Sequence, residues 1–281
     1  MPVKSSVQEN TATLLADDEP APFRVLNEDS SHPVLLLCDH ASRRFPASVG
    51  SLGLDPAAMR CHLAWDIGAG ALTERLAMAL SLTAVLAAYS RLVVDCNRQL
   101  LDPGAFLVFG DGILVPGNRH LSEAQKAARA DEIYWPYHAA INREIARLSA
   151  QQRAKAGFPI VLSIHSFTPV LDGVSRPWEI GILWDKDRPT AEALIRGFSD
   201  AGYQVGDNLP YSGKAPQDYT IDNHAEAAGL LHAGIEIRQD LIDGAEGVDK
   251  LVSVMRPIIK SLASSVRPGD AQEERRSAGH D

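Results

Sequence analysis

Val34-Leu35-Leu36-Leu37-Cys38-Asp39-His40 and Ile160-Val161-Leu162-Ser163-Ile164-His165 are the two stretches from which the fold is read. Each is a nearly unbroken apolar run without polar alternation, the pattern of a strand buried on both faces of its sheet. Working outward, residues 92–95, 180–184 and 234–237 repeat the pattern and are further strand candidates. Helical spacing at 67–80, 123–150, 190–201 and 248–263 alternates with them. That order predicts a single α/β domain, a largely buried sheet with helices on its faces. Ser122-x-x-Gln125 is a capping box for the second helix, and Pro136 predicts a kink or break near Trp135.

The chain has 281 residues, 45% hydrophobic and 22% charged, an ordinary globular composition able to bury a sizeable core. Residues 1–22 are polar and acidic and 266–281 lack an apolar period, so both read as flexible tails around a catalytic body at 23–265. A net charge of -9 with no dense Lys/Arg stripe argues against a nucleic-acid partner. No stretch approaches the roughly 18 apolar residues of a membrane span, and the start lacks the basic and apolar regions of a secretory signal. A cytoplasmic protein is expected. Cys38, Cys61 and Cys96 form no metal knuckle and read as reduced packing residues.

Every strand candidate runs into a polar cluster at its C-terminal end: Asp39-His40, Asp95-Cys96-Asn97-Arg98, His165-Ser166, Asp185 and Arg238-Gln239-Asp240. Such sheets bind ligands in the crevice outside those ends. His40 and His165, at two strand ends far apart in sequence, suit a catalytic zinc, which takes three protein ligands and keeps one position for water. Two imidazoles sharing one ion with bonds of roughly 2 Å must lie within about 6 Å of each other. Asp66, opening a helix, is the candidate third ligand; as a preferred N-cap residue it could instead satisfy the amides of Gly68 or Ala69. His62 is a weaker substitute.

Glu236 lies inside an apolar run, where a carboxylate is costly unless paired or functional. It is either a general base beside a metal site or one half of a buried ion pair with an arginine such as Arg238, which alternation places on the same face. Arg91 and Asn97-Arg98 bracket the run at 92–95, and a guanidinium there can clamp a carboxylate or stabilise an oxyanion; ordinary ion pairing is the alternative. His224 and the loop at 213–220 read as a substrate-facing segment or lid, or as a merely solvated loop. His120 and His138 are expected to be structural.

In the order Asp39-His40-Ala41-Ser42, Trp65-Asp66-Ile67-Gly68, Ser90 to Arg98, Ile164-His165-Ser166-Phe167 and Glu236-Ile237-Arg238, the chain resembles the N-formylglutamate amidohydrolase family from about residue 33 to 262. That family is similar to zinc carboxypeptidases and aspartoacylases, so the resemblance implies a central mixed, mostly parallel sheet flanked by helices. It also implies His40 and His165 as zinc ligands, Glu236 as the base activating water, Arg91 as carbonyl polariser, and Asn97 with Arg98 gripping the substrate carboxylate. Arg238 and His224 join the expected substrate-binding set. The implied reaction is hydrolysis of a small N-acyl, and foremost N-formyl, amino acid such as N-formylglutamate.

Two departures stand out. Arg43 occupies the place, three residues after the first histidine, where the zinc carboxypeptidase group has a glutamate. Asp39-His40-Ala41-Ser42 replaces the Pro-His-Ser-Gly of typical glutamate deformylases, which marks a divergent branch. The rival readings are an aminoacylase or peptidase with the same metal centre, and a metal-free module binding carboxylates through Arg91 and Arg98.

Overall fold

The computed structural model describes residues 13–155, 157–214 and 218–265. In chain order these form β1 (Phe23–Leu26), β2 (Val34–Cys38), α1 (Ala69–Leu80), β3 (Thr83–Ala87), the hairpin β4 (Phe109–Gly110) and β5 (Ile113–Leu114), α2 (Glu123–Arg129), α3 (Trp135–Ala154), β6 (Ile160–Phe167), the hairpin β7 (Val170–Leu171) and β8 (Val174–Ser175), β9 (Ile180–Leu183), α4 (Arg188–Asp200), β10 (Val205–Asp207), β11 (Leu231–Arg238) and α5 (Ala245–Ser265). The central sheet runs β1-β3-β2-β6-β11-β9-β10. β3, β2, β6 and β11 are mutually parallel, while β1 and the β9-β10 pair run against them.

Alternation along buried strands explains the layers. Leu36 and Cys38 face one side, packing with Leu72 and Leu76 of α1, Phe198 of α4 and Met255 of α5. Leu35 and Leu37 face the other, against Tyr137, Ile141 and Leu148 of α3. Helices therefore cover both faces, as the apolar runs require. The mixed, mostly parallel sheet expected from the family resemblance is the one observed.

One strand expectation is corrected. Residues 92–95 are a turn followed by irregular backbone, although Leu92, Val93 and Val94 are buried. Their backbone is satisfied without a ladder: Val93 N–H donates to Ser90 O at 2.9 Å, Asn118 Nδ2 to Leu92 O at 2.8 Å and Arg129 Nη1 to Val93 O at 2.8 Å. Burial with side-chain hydrogen bonds thus mimics the composition of a strand. The sheet uses Thr83–Ala87 instead, a fully buried segment that begins just after Ser81, at φ 54°, ends α1.

Ser122 and Gln125 form the capping box on α2 in both directions, at 3.2 and 2.9 Å. The expected break before Pro136 takes the form of a π-helical turn, Ala130–Tyr134, which leaves the proline in the first turn of α3, where no intrahelical N–H is needed. The N-terminal boundary expected at residue 23 moves outward. Leu14 is buried, and the N–H groups of Leu14 and Leu15 donate to the Glu132 carboxylate at 2.7 and 2.8 Å. The tails at 1–12 and 266–281 lie outside the described residues. Among the described residues no helix is long and apolar enough to cross a membrane.

Candidate metal centre

The metal-ligand candidates converge at the C-terminal ends of β2 and β6. His40 follows β2, His165 lies in β6, and Asp66 comes from the turn that enters α1. Asp66 Oδ2 stands 2.9 Å from His165 Nδ1 and 3.4 Å from His40 Nδ1, and the imidazole centroids are 5.2 Å apart. One ligand atom from each of the three residues lies within 4.8 Å of the others, and all three side chains are buried. The spacing required of two imidazoles on one ion is met.

Each ring is anchored through its far nitrogen. His40 Nε2 lies 2.8 Å from Asp95 Oδ1. His165 Nε2 lies 2.8 Å from Ser163 Oγ, and the Ser163 hydroxyl donates to Asp39 Oδ2 at 3.3 Å. With Nε2 of each ring held outward, Nδ1 of each ring is turned to Asp66, the orientation in which outer carboxylates present histidines to a metal, and a bound ion would take the two Nδ1 atoms in their deprotonated form. Two oriented imidazoles and a carboxylate form a donor set that fits a divalent ion of the zinc type.

Asp66 is not a helix cap. α1 has Gly68 at its N-cap, at φ 81°, with no side-chain cap bond. A Cβ at Gly68 would meet Ile242 O at 2.1 Å, so the close turn demands glycine and frees the Asp66 carboxylate for the histidines. Burial raises the Asp66 pKa, but His40 and His165 around it hold the carboxyl well below the usual carboxylate range. Asp39 is likewise opposed by burial and yet held at about 2 by His165, His40 and the Thr220 hydroxyl, which donates to Asp39 Oδ1 at 2.7 Å. Burial pulls both histidines down; Asp95 and Asp66 for His40, and Asp39 and Asp66 for His165, more than reverse it.

Glu236 stands in β11 in register with His165, so both side chains leave the same face of the sheet. Its carboxylate is buried, and Oε2 has no hydrogen-bond partner among the described residues. Burial pushes the Glu236 pKa up to about 7, His165 and His40 working against that and Asp66 and Asp218 with it. Among the described residues no arginine lies within ion-pair distance of Glu236. Arg238, at the last position of β11, turns its Nε and Nη2 to Asp240 at 2.8 and 3.1 Å, because the following 3-10 turn (Gln239–Leu241) brings that carboxylate back beside it. Arg238 therefore stays outside the site, contrary to expectation.

Arg91 holds Asp95 Oδ2 through Nε at 3.0 Å and Nη2 at 2.7 Å, and its Nη1 lies 3.7 Å from Asp66 Oδ1. Burial opposes its charge, but Asp95 and Asp66 keep the guanidinium protonated. A cavity of about 200 Å³ opens over these groups, lined also by Asn97, Arg98, His62, Asp218, Tyr211 and Phe167. His62 lines it too, with Nε2 3.0 Å from Asp111 Oδ2, but is not one of the three clustered donors. His224 does not reach the cavity. It is buried in the π-helical turn Ile221–Glu226, with Nε2 2.7 Å from His138 Nδ1 and Nδ1 2.8 Å from Asn142 Oδ1. Packing against α3 turns it away from the crevice, and its partner His138 is buried beside it.

Asp218 and Tyr211 are site residues that the sequence did not single out. Both fall in or beside the loop at 213–220, of which 215–217 lie outside the described residues. Asp218 fits because β11 has glycine at 234: a Cβ there would lie 3.2 Å from Asp218 Oδ2. The supporting carboxylates Asp39 and Asp95 could have been found from their adjacency to His40 and to Asn97-Arg98, but nothing local says that they face histidine nitrogens.

A buried His-Asp-His group that could hold a metal ion at the strand ends of a mixed α/β sheet, with a carboxylate and an arginine beside it, is consistent with the class of metal-dependent hydrolases. The chain belongs to the N-formylglutamate amidohydrolase family, whose pattern it matches over residues 32–243, and is a hydrolase of amide bonds. A gene product of Agrobacterium tumefaciens of known crystal structure is 36% identical, with a TM-score of 0.84 over 90% of this chain and 98% of that one. The N-formylglutamate amidohydrolase from Ralstonia eutropha JMP134 is 22% identical and shares the fold, with a TM-score of 0.68 over 89% of this chain and 100% of that one. No curated protein matches the chain.

Proposed function

We propose that this protein hydrolyses the amide bond of a small N-acyl amino acid, N-formylglutamate foremost, with a divalent metal, zinc first, held by His40, Asp66 and His165. The observation that carries the reading is the convergence of three buried donors within 4.8 Å, each histidine backed through its other nitrogen. A divalent ion bound there supplies a Lewis acid and brings the pKa of a water to about 7.

The chain's own residues do the rest. Glu236, with a pKa near 7 and an unpartnered Oε2, is poised to accept a proton from the attacking water and return it to the leaving amine. Arg91, fixed by its fork on Asp95, holds a permanent positive charge beside Asp66 and polarises the acyl carbonyl. Asn97 and Arg98 line the same cavity and orient the substrate carboxylate. Burial excludes competing water from the three ligands. The products are a small acid, formate for an N-formyl substrate, and a free amino acid.

Metal analysis of the purified protein, paired with assays on N-formyl, N-acetyl and dipeptide substrates, tests this. We expect about one equivalent of divalent metal, its loss in His40→Ala, and the fastest turnover on an N-formyl amino acid. Absence of metal together with absence of hydrolysis would leave only the carboxylate-binding alternative, and preference for a dipeptide would make the protein a peptidase.

A further inference from the structure

Arg176, just after β8, is a buried cation. It is 9% exposed, and among the described residues its side-chain hydrogen bond goes to a phenol and no carboxylate lies within ion-pair distance of it. Its guanidinium is held between aromatic rings, 4.8 Å from the Tyr211 centroid and 5.8 Å from that of Phe167. Its Nη1 donates to the Tyr211 hydroxyl at 2.8 Å. Isolating a charge this way is unfavourable unless an anion completes the site. Tyr211 itself is 41% exposed and lines the cavity over the metal centre, as do Phe167 and Thr168.

The direction of that hydrogen bond matters. A phenol oxygen that accepts from a guanidinium keeps its own proton to give away, and among the described residues Tyr211 O–H donates to none. Burial, Glu236 and Asp66 all raise the Tyr211 pKa, so the phenol is protonated at neutral pH although Arg176 works the other way. A charge-backed donor therefore faces the cavity, on a different loop from Asn97 and Arg98.

We propose that Tyr211 is a substrate-binding residue that donates its phenol proton in a hydrogen bond to the side-chain carboxylate of the acyl amino acid, and that Arg176 is the positioning residue that orients the phenol and supplies the positive field. This rests on the hydrolase reading above and deepens it by assigning the residues that select an acidic side chain.

The test compares wild type with Tyr211→Phe, Arg176→Gln and Arg176→Lys on N-formyl-L-glutamate and on N-formyl-L-glutamine, which lacks the side-chain charge. Calorimetry with glutarate, which cannot be hydrolysed, supplies a readout independent of turnover. Tyr211→Phe is expected to raise KM for N-formylglutamate about tenfold with kcat within about twofold, to leave N-formylglutamine nearly unchanged, and to weaken glutarate by a similar factor. Arg176→Gln should do the same or more, with Arg176→Lys recovering part of the loss. Because Tyr211 is partly exposed, its phenylalanine variant stays folded whatever the burial of Arg176 does to the other two. Unchanged KM and glutarate affinity in Tyr211→Phe would overturn the proposal, as would a fall in kcat alone or an equal loss on both substrates. If wild type hydrolyses neither substrate, the N-formyl reading of the proposed function fails, and glutarate binding that weakens in Tyr211→Phe still decides for the subsite; no binding of glutarate to wild type decides against it.

Discussion

Glu236 shows how much a single side chain owes to its surroundings. In β11 it is a carboxylate among isoleucines, and its register partner His165 puts it on the face that carries the metal-ligand group. Burial and the nearby Asp66 and Asp218 carboxylates make it a proton acceptor near neutral pH rather than an ordinary acid. Glu236→Gln keeps the volume and removes the base. It should retain metal at the wild-type ratio while turnover falls about 100-fold or more, read by metal analysis beside steady-state kinetics; a wild-type rate would take Glu236 out of the mechanism. Asp66 was ambiguous in the sequence because a helix cap and a metal ligand can both be an aspartate before a helix. Gly68 at the N-cap resolves it, and that depends on Ile242 passing 174 residues away in the chain.

At the scale of elements, the long helical pattern at 123–150 divides at a π-helical turn, and the surfaces it creates bury a pair of histidines. His138 on α3 stacks on His224 with centroids 4.9 Å apart. Burial, and then the neighbouring His224, lower the His138 pKa to about 4. The unfolded chain, with an ordinary imidazole, therefore takes up this proton first. The contribution to stability is complete above about pH 6.5 and is lost as pH falls toward 4, amounting to up to about 3 kcal/mol. Urea midpoints measured from pH 7 to 4 should fall less steeply in His138→Gln than in wild type, and parallel profiles would refute the assignment. His224 looked like a substrate-facing residue because a histidine in a polar loop reads as functional. The helix it packs against is too far away in sequence for any local pattern to reveal.

Across the whole molecule the proposed metal ties together the end of β2, the entry to α1 and β6, segments separated by 26 and 99 residues. Such a ligand binds the folded chain and not the unfolded one, so its removal should lower the melting temperature by on the order of 10 °C for an ion present at about a thousandfold its dissociation constant. Thermal melts with and without a chelator, followed by zinc re-addition, measure this. Coincident curves would mean that no ion bridges these elements. The packing of Leu14 and Leu15 against Glu132 also belongs to this scale, since it extends the body outward from the boundary at residue 23.

The sequence alone was sufficient for the α/β class and for the strand-end placement of His40 and His165, because burial on both faces of a strand and polar punctuation at its end are local properties. It could not distinguish the buried irregular segment at 92–95 from a strand, since both bury the same apolar side chains. Which carboxylate faces which histidine nitrogen, why Arg238 turns away, and where Arg176 finds Tyr211 were decided by the tertiary structure. Those contacts depend on direction and on chain segments brought together by the sheet order, and neither is encoded in spacing along the chain.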